Sequence, residues 1–271
     1  MNYQTFDPSD VLKPFIKCYW TLEMPEQTLP QKQRIVPDGC MEMIFHHGDL
    51  YKQYLEQDEY IIQPRCFVFG QLTSTLEIEP TGVTGIFAAR FHPDGFNVLG
   101  NFPLKKLENT ATALVELFGE AGIQLEQDIL KTNKTEEKIV LLENFLMACL
   151  SNSTTIDRLI KSVINTIFEA QGQLSVEEIS QEFNIHRRQL ERKFASTIGL
   201  SPKQLSKIVR LQGSLKKLIS GKFSNLTDLA YESDYYDQAH FIKDFKEFTG
   251  ISPKEFFSDH LKLSSLFHAE H

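Results

Sequence analysis

Residues 194–205, FASTIGLSPKQL, fall over residues 245–256, FKEFTGISPKEF, when the chain is laid on itself at an offset of 51, with five of twelve positions identical. Upstream the match continues with Leu190 over Phe241 and Arg192 over Lys243, then at an offset of 50 with Val176 over Leu226 and Ile179 over Leu229. Each copy reads as helix, short turn, helix. The turns centre on Asn184 and Asp234, residue types that tolerate left-handed backbone better than most. Two tandem helix-turn-helix units are the natural reading. Between them, Pro202 to Ile219 carries an inward stripe of Leu205, Ile208, Leu211, Leu215, Leu218 and Ile219. A helix of that length is a rod of roughly 27 Å, suited to holding two recognition helices in major-groove segments about 34 Å apart.

The approach to the first unit is helical as well. Asp157 precedes an apolar stripe of Leu159, Ile160, Val163, Ile164 and Ile167, and Gly172 can close that helix. Ser175 with Glu178 makes a capping box, after which Val176, Ile179 and Phe183 share one face.

Helical geometry sorts the side chains of each second helix. Measured from Leu190 at about 100° per residue, Phe194 lies about 40° away on the core side, Arg188 at about 160°, Arg192 at about 200° and Glu191 at about 100°. Measured from Phe241, Ala239 lies at about 160°, Lys243 at about 200° and Lys246 at about 140°. Arginine pairs bidentately with a guanine edge and a glutamate accepts from a cytosine amino group, so the first helix carries readout chemistry. The net charge of −8 argues against a polyanion partner until it is divided. Residues 166–184 carry −4, residues 185–222 carry +9 with ten bases against Glu191 alone, and residues 223–271 carry −5. The basic window is the footprint expected for DNA.

At 271 residues and 31.2 kDa the chain is long enough for two cores. From about 15 to 107, short Val, Ile, Phe and Tyr runs broken by Pro and Gly suit a sandwich or barrel, with residues 40–45, 66–69 and 85–91 as core strands. Helical periodicity follows to about 150, and SNSTT at 151–155 is the linker candidate. The expected division is therefore a β-rich sensor at 1–108, a helical connector at 109–154, the double helix-turn-helix at 155–260 and a tail at 261–271. The fold class is α+β multidomain. The longest apolar run, Phe145 to Leu150, is six residues against roughly 18 for a membrane span, and no secretory signal opens the sequence, so a cytoplasmic location is expected. Cys18, Cys40, Cys66 and Cys149 fit neither a metal knuckle nor a disulfide framework and are expected to be reduced.

With these residues in view, the stretch 156–257 resembles the AraC/XylS family of bacterial transcription regulators. Leu190 and Phe194 match that family's first recognition helix, and Phe241, Phe245, Lys246, Gly250, Ser252 and Pro253 match the second. The resemblance implies double-stranded DNA as partner and base contact by Arg188, Glu191 and Arg192, then Gln238, His240 and Lys243; Arg187 and Lys246 join them as DNA-binding candidates. Three departures stand out. Asp234-Tyr235 replaces the usual Gly-Phe, His186 removes a good cap from the first recognition helix, and acidic residues (Asp228, Glu232, Asp234, Asp237, Asp244, Glu247) surround Lys243 and Lys246. The first unit is thus expected to anchor the complex while the second binds weakly or touches RNA polymerase. Residues 35–49, 67–71, 91–96 and 102–119 resemble the cupin-like sensor domain found ahead of this module, which implies a small-molecule effector, dimerisation, or both.

No Ser/His/Asp set, paired carboxylates, phosphate loop or flavin motif appears, and no enzyme or cofactor is expected. Alternation near Arg90 places Ala88, Arg90 and His92 on one side, where Arg90 either clamps an anionic effector beside His92 or forms a surface salt bridge. His46 and His47 are adjacent and point to opposite faces of a strand, so they do not readily share a metal, and none is expected. Ile139, Leu142, Leu146 and Cys149 form a short seam that either pairs two chains as a homodimer or packs on the barrel. Two other readings remain: a cupin-type metalloenzyme with a tethered helical domain, and a polymerase-interaction module of weak DNA specificity.

Overall fold

The computed structural model describes residues 1–55, 59–151, 157–220 and 238–259. The amino-terminal part is two antiparallel sheets. One has six strands in the order β1 (Asn2–Phe6), β2 (Ile16–Met24), β9 (Thr84–Phe91), β4 (Glu42–His46), β7 (Cys66–Phe69) and β10 (Ala111–Ala113). The other has the order β3 (Gln33–Ile35), β8 (Leu76–Pro80), β5 (Tyr51–Tyr54) and β6 (Tyr60–Ile62). The expected core strands are β4, β7 and β9. A sandwich or a cupin-like barrel was expected; the strands form two separate sheets, and neither closes on itself.

The central strand β9 explains the arrangement. Its sequence TGIFAARF is buried throughout and has two apolar sets in alternation. Phe87, Ala89 and Phe91 join Met43, Phe45 and Val68 in one core, while Ile86 and Ala88 join Trp20 and Leu22 in another on the opposite face. The first core is covered by three helices, α1 (Leu114–Phe118), α2 (Glu120–Lys131) and α3 (Thr135–Ser151), through Leu114, Leu125, Ile129, Leu142 and Leu146. The seam read as a dimerisation candidate is spent here: Leu142 and Leu146 are fully buried on the chain's own sheet, with Ile139 and Cys149 packed beside them.

The carboxyl-terminal part is helical: α4 (Arg158–Glu169), α5 (Val176–Glu182), α6 (Arg187–Thr197), α7 (Pro202–Ser220), α8 (Gln238–Thr249) and α9 (Pro253–Asp259). Local chemistry sets its boundaries. Asp157 accepts from the backbone N–H of Leu159 at 3.1 Å and of Ile160 at 3.3 Å, which caps α4. Ser175 and Glu178 cap α5 reciprocally, at 2.7 Å and 3.2 Å. Gly172 leaves α4 with φ +73°, where a Cβ would stand 2.2 Å from the Ser206 carbonyl oxygen of α7, so only glycine allows this approach. Asn184 takes φ +47° in the α5–α6 turn, and His186 caps α6 without a side-chain hydrogen bond. Ile160, Ile164, Ile179, Leu190, Phe194, Leu205, Leu215, Phe241 and Phe245 belong to a single core. The first helix of the second unit (Leu226, Leu229), its Asp234–Tyr235 turn, Asp228, Glu232, Asp237, most of the SNSTT linker, the Ile219 side chain and the 261–271 tail lie outside the described residues.

Candidate nucleic-acid interface and internal cavity

Helix α6 is held by Leu190 and Phe194, both fully buried. That anchoring turns Arg188 and Arg192 to solvent, where neither has a hydrogen-bond or ion-pair partner among the described residues. Arg187 is also exposed but is held between two carboxylates, Glu177 and, at 2.9 Å, Glu191. These carboxylates raise its already high pKa and fix it along the helix. Glu191 is half-buried beside it. Exposed pairs of this kind contribute little stability. Their local effect is to leave Arg188 and Arg192 as the unengaged guanidinium pair on this face.

Helix α8 is anchored by Phe241, Phe245 and Phe248. Lys243 and Lys246 are exposed, His240 is exposed and Gln238 is half-buried. Asp244, counted from sequence among the surrounding acids, is buried instead. It faces Lys207 at 3.1 Å and Arg210 at 3.7 Å on α7, with His240 Nε2 at 3.7 Å. Lys207 also reaches Glu247 at 2.9 Å. The second recognition helix is therefore pinned to the long helix by a buried charge cluster as well as by phenylalanines. A signal was present: three residues after Phe241, Asp244 stands about 60° from it on the wheel, on the core side.

Between the two sheets lies a cavity of about 100 Å³. Its walls are apolar and aromatic, including Tyr3, Trp20, Leu22, Ile44, Ile78 and Ile86, and its polar lining includes Arg34, Asp38, Glu42, His46, Gln63 and Arg90. Arg90 is buried, so the surface salt bridge considered from sequence does not occur. Its Nε donates to Glu42 Oε1 at 2.7 Å and its Nη2 stands 3.6 Å from Asp38 Oδ2. Burial opposes the Arg90 charge, but Glu42 and Asp38 outweigh it and raise its pKa. Burial also raises the Glu42 pKa, against the pull of Arg90. Trp20 Nε1 donates to the same Glu42 oxygen at 3.2 Å. Arg34 donates to Glu77 at 2.8 Å. His92 follows the end of β9 and is not part of the cavity lining; burial and nearby Lys161 lower its pKa.

His46, the last residue of β4, and His47, just beyond it, point in opposite directions. His47 bonds Glu23 at 2.8 Å outside, while His46 faces the cavity, stacked against Tyr51 with ring centroids 5.4 Å apart. Burial pushes the His46 pKa down to about 4, so the imidazole is neutral; Gln63 approaches it, yet neither ring nitrogen makes a hydrogen bond. Glu42 and His46 share the cavity, but no group of three or more metal-ligating side chains occurs among the described residues. All four cysteines are free, and no described helix is long and apolar enough to cross a membrane.

Residues 179–259 match a helix-turn-helix domain family, and residues 4–113 match a domain family of unknown function. An uncharacterised HTH-type transcriptional regulator from Haemophilus influenzae is 30% identical over 99 residues, covering 36% of this chain. The match spans about a third of that relative's length, 33%. The carboxyl-terminal part contains a helix-turn-helix domain. Among solved structures, ToxT from Vibrio cholerae aligns over 95% of this chain and 98% of its own at 14% identity and a TM-score of 0.47. The carboxyl-terminal domain of AraT, a response regulator from Geobacillus stearothermophilus, aligns over 38% of this chain and 87% of its own at 21% identity and a TM-score of 0.36.

The carboxyl-terminal helices are docked on the amino-terminal part at named points. Gln212 of α7 donates to the Pro37 carbonyl at 2.6 Å, Thr75 donates to the Phe248 carbonyl at 2.7 Å, and Lys161 reaches Asp94 and the Pro14 carbonyl, each at 3.1 Å. Val36 is part of the helical core itself. Gly39, with φ +79°, faces Leu205 so closely that a Cβ would lie 3.1 Å from it. The stretch Gln33–Cys40 thus lines the cavity and also touches the carboxyl-terminal helices.

Proposed function

We propose that this chain is a transcription regulator that reads a bipartite major-groove site in double-stranded DNA and is controlled from its amino-terminal part by a small-molecule effector held between the sheets. The division proposed is a sensor at 1–108, a connector at 109–154 and a DNA reader at 155–260, working in the cytoplasm without catalysis. The observation that carries the reading is the exposure of Arg188 and Arg192, without a partner among the described residues, on a helix whose opposite face is fully buried. Guanidinium groups so placed can meet base edges without dismantling an internal contact. Lys243 and Lys246 supply the second contact. Arg187 and Glu191, tied to each other, orient the first helix beside phosphate, and Gln238 and His240 flank the second.

The first unit is proposed to anchor the complex. Selection of bound DNA from a random pool by the full chain should return two half-sites. Arg192→Ala should cost about 1–3 kcal/mol and relax one base position, while Lys243→Ala weakens binding across sequences. Six to eight phosphate contacts give a slope of about −5 to −7 in log K against log salt. A salt-independent interaction, or full binding by Arg192→Ala beside none by Lys243→Ala, overturns the reading.

A further inference from the structure

We infer that the cavity between the sheets receives a small uncharged molecule, with an apolar body of about one ring and a hydroxyl that hydrogen-bonds His46. The inference rests on the reading of the amino-terminal part as an effector chamber and names the class of ligand it receives.

The charges of the wall answer one another. The lining carries Arg34 and Arg90 against Asp38 and Glu42, and just outside it Glu77 and Lys17 add one charge of each sign. Arg90 is held by Glu42 at 2.7 Å and Asp38 at 3.6 Å, and Arg34 by Glu77 at 2.8 Å. Burial holds His46 neutral. A ligand with a full charge of either sign therefore gives up its hydration without finding a surplus of the opposite sign, which is costly in a poorly solvated space. An uncharged ligand avoids that loss.

The hydrogen-bonding groups choose among uncharged ligands. Trp20 Nε1 is engaged by Glu42 at 3.2 Å, the Tyr51 hydroxyl by Thr84 at 2.7 Å, and Gln63 Nε2 by Gln53 at 3.4 Å. His46 differs: it is 2% exposed, faces the cavity and leaves both ring nitrogens without a hydrogen bond, although buried polar groups as a rule have one. A neutral imidazole has one donor and one acceptor nitrogen, and a hydroxyl both donates and accepts, so it answers whichever nitrogen it meets. An ammonium only donates and a carboxylate only accepts. Arg34 Nη1, also in the lining and also without a hydrogen bond, is a donor that a hydroxyl oxygen satisfies. Trp20, Leu22, Ile44 and Ile78 suit the apolar body. The volume, about 100 Å³, lies below the roughly 150 Å³ cavity known to admit benzene and limits that body to about one ring.

The chain contains one tryptophan, and it is Trp20 in this wall, so its selectively excited emission reports occupancy directly. The full chain is titrated at neutral pH with phenol, with toluene of nearly the same shape, and with benzoate and benzylamine. Phenol should perturb Trp20 with a dissociation constant no higher than that of toluene, although toluene leaves water more readily, and at least about tenfold below those of benzoate and benzylamine. His46→Phe should shift the phenol-to-toluene ratio at least about tenfold in favour of toluene, the loss expected when a buried hydroxyl keeps no partner. Should that variant fail to fold by circular dichroism, ring-nitrogen NMR of the histidine-labelled wild-type chain makes the same comparison: phenol, and not toluene, should move one imidazole. Tighter binding of toluene than of phenol, a ratio unmoved by His46→Phe, imidazole signals unmoved by phenol, or benzoate or benzylamine binding as tightly as phenol overturns the ligand assignment and leaves the chamber standing. Silence of Trp20 toward all of these probes overturns assignment and chamber together, while the operator contacts of Arg188 and Arg192 stand on their own test.

Discussion

Replacing Asp244 by alanine tests whether a buried carboxylate aligns the second recognition helix on the long one. The side chain is 4% exposed and faces Lys207, Arg210 and His240. Breaking a buried pair by removing one partner costs about 3–5 kcal/mol when the remaining charge is left unanswered. Here both cations keep an alternative: Lys207 retains Glu247 at 2.9 Å, and Arg210 retains the Gly172 carbonyl at 2.7 Å. We therefore expect a loss of about 2–3 kcal/mol, below the full penalty. Urea unfolding of the full chain followed by far-UV circular dichroism reads it as a lowered midpoint at unchanged slope. The double variant Asp244→Leu with Lys207→Met should recover part of the loss, because an apolar pair of similar volume removes both charges together. A change below about 0.5 kcal/mol in the single variant, or a double variant worse than the single, would refute the argument.

Two further outcomes follow from single groups. His46 has a folded pKa of about 4 against an ordinary 6.5, so the unfolded chain binds the extra proton first; stability should fall by up to about 3 kcal/mol as pH drops from about 6.5 to 4. His46→Phe should flatten that part of the pH–stability curve, and an unchanged slope would remove His46 as its cause. Asp157→Ala should cost about 1 kcal/mol through the lost α4 cap, with the half-exposed Lys193 pair adding little. Asp157→Asn should keep most of the cap, and calorimetry on the three proteins separates capping from charge.

The helical part was largely legible because its signals are local. Asp157, Gly172, Ser175 with Glu178 and Asn184 each act on backbone within a few residues, and all take the places their chemistry suggests. The stripes through Leu190 and Phe194, and through Leu205, Ile208, Leu211, Leu215 and Leu218, are buried as spaced. The β-rich part was less legible because its contacts are distant. Residues 66–69 and 85–91 read correctly as strands, but sheet closure depends on which edges pair, and no run of residues encodes that locally. Arg90 was found by alternation, yet its partners Asp38 and Glu42 lie about fifty residues away, so neither its burial nor its neutralisation was visible. His92 left the pattern because β9 ends at Phe91.

The stretch Gln33–Cys40 places Ile35 against the cavity, and its covalent neighbour Val36 both lines the cavity and belongs to the helical core. One side chain thus belongs to two interiors that are otherwise built from different parts of the chain. A side chain enlarged at Ile35 to reshape the chamber transmits its strain to the packing around α7, and a repair made at Leu205 presses back on Gly39. Cavity shape and helix packing are therefore not independent traits in this protein; a mutational path through one is surveyed by the other at each step.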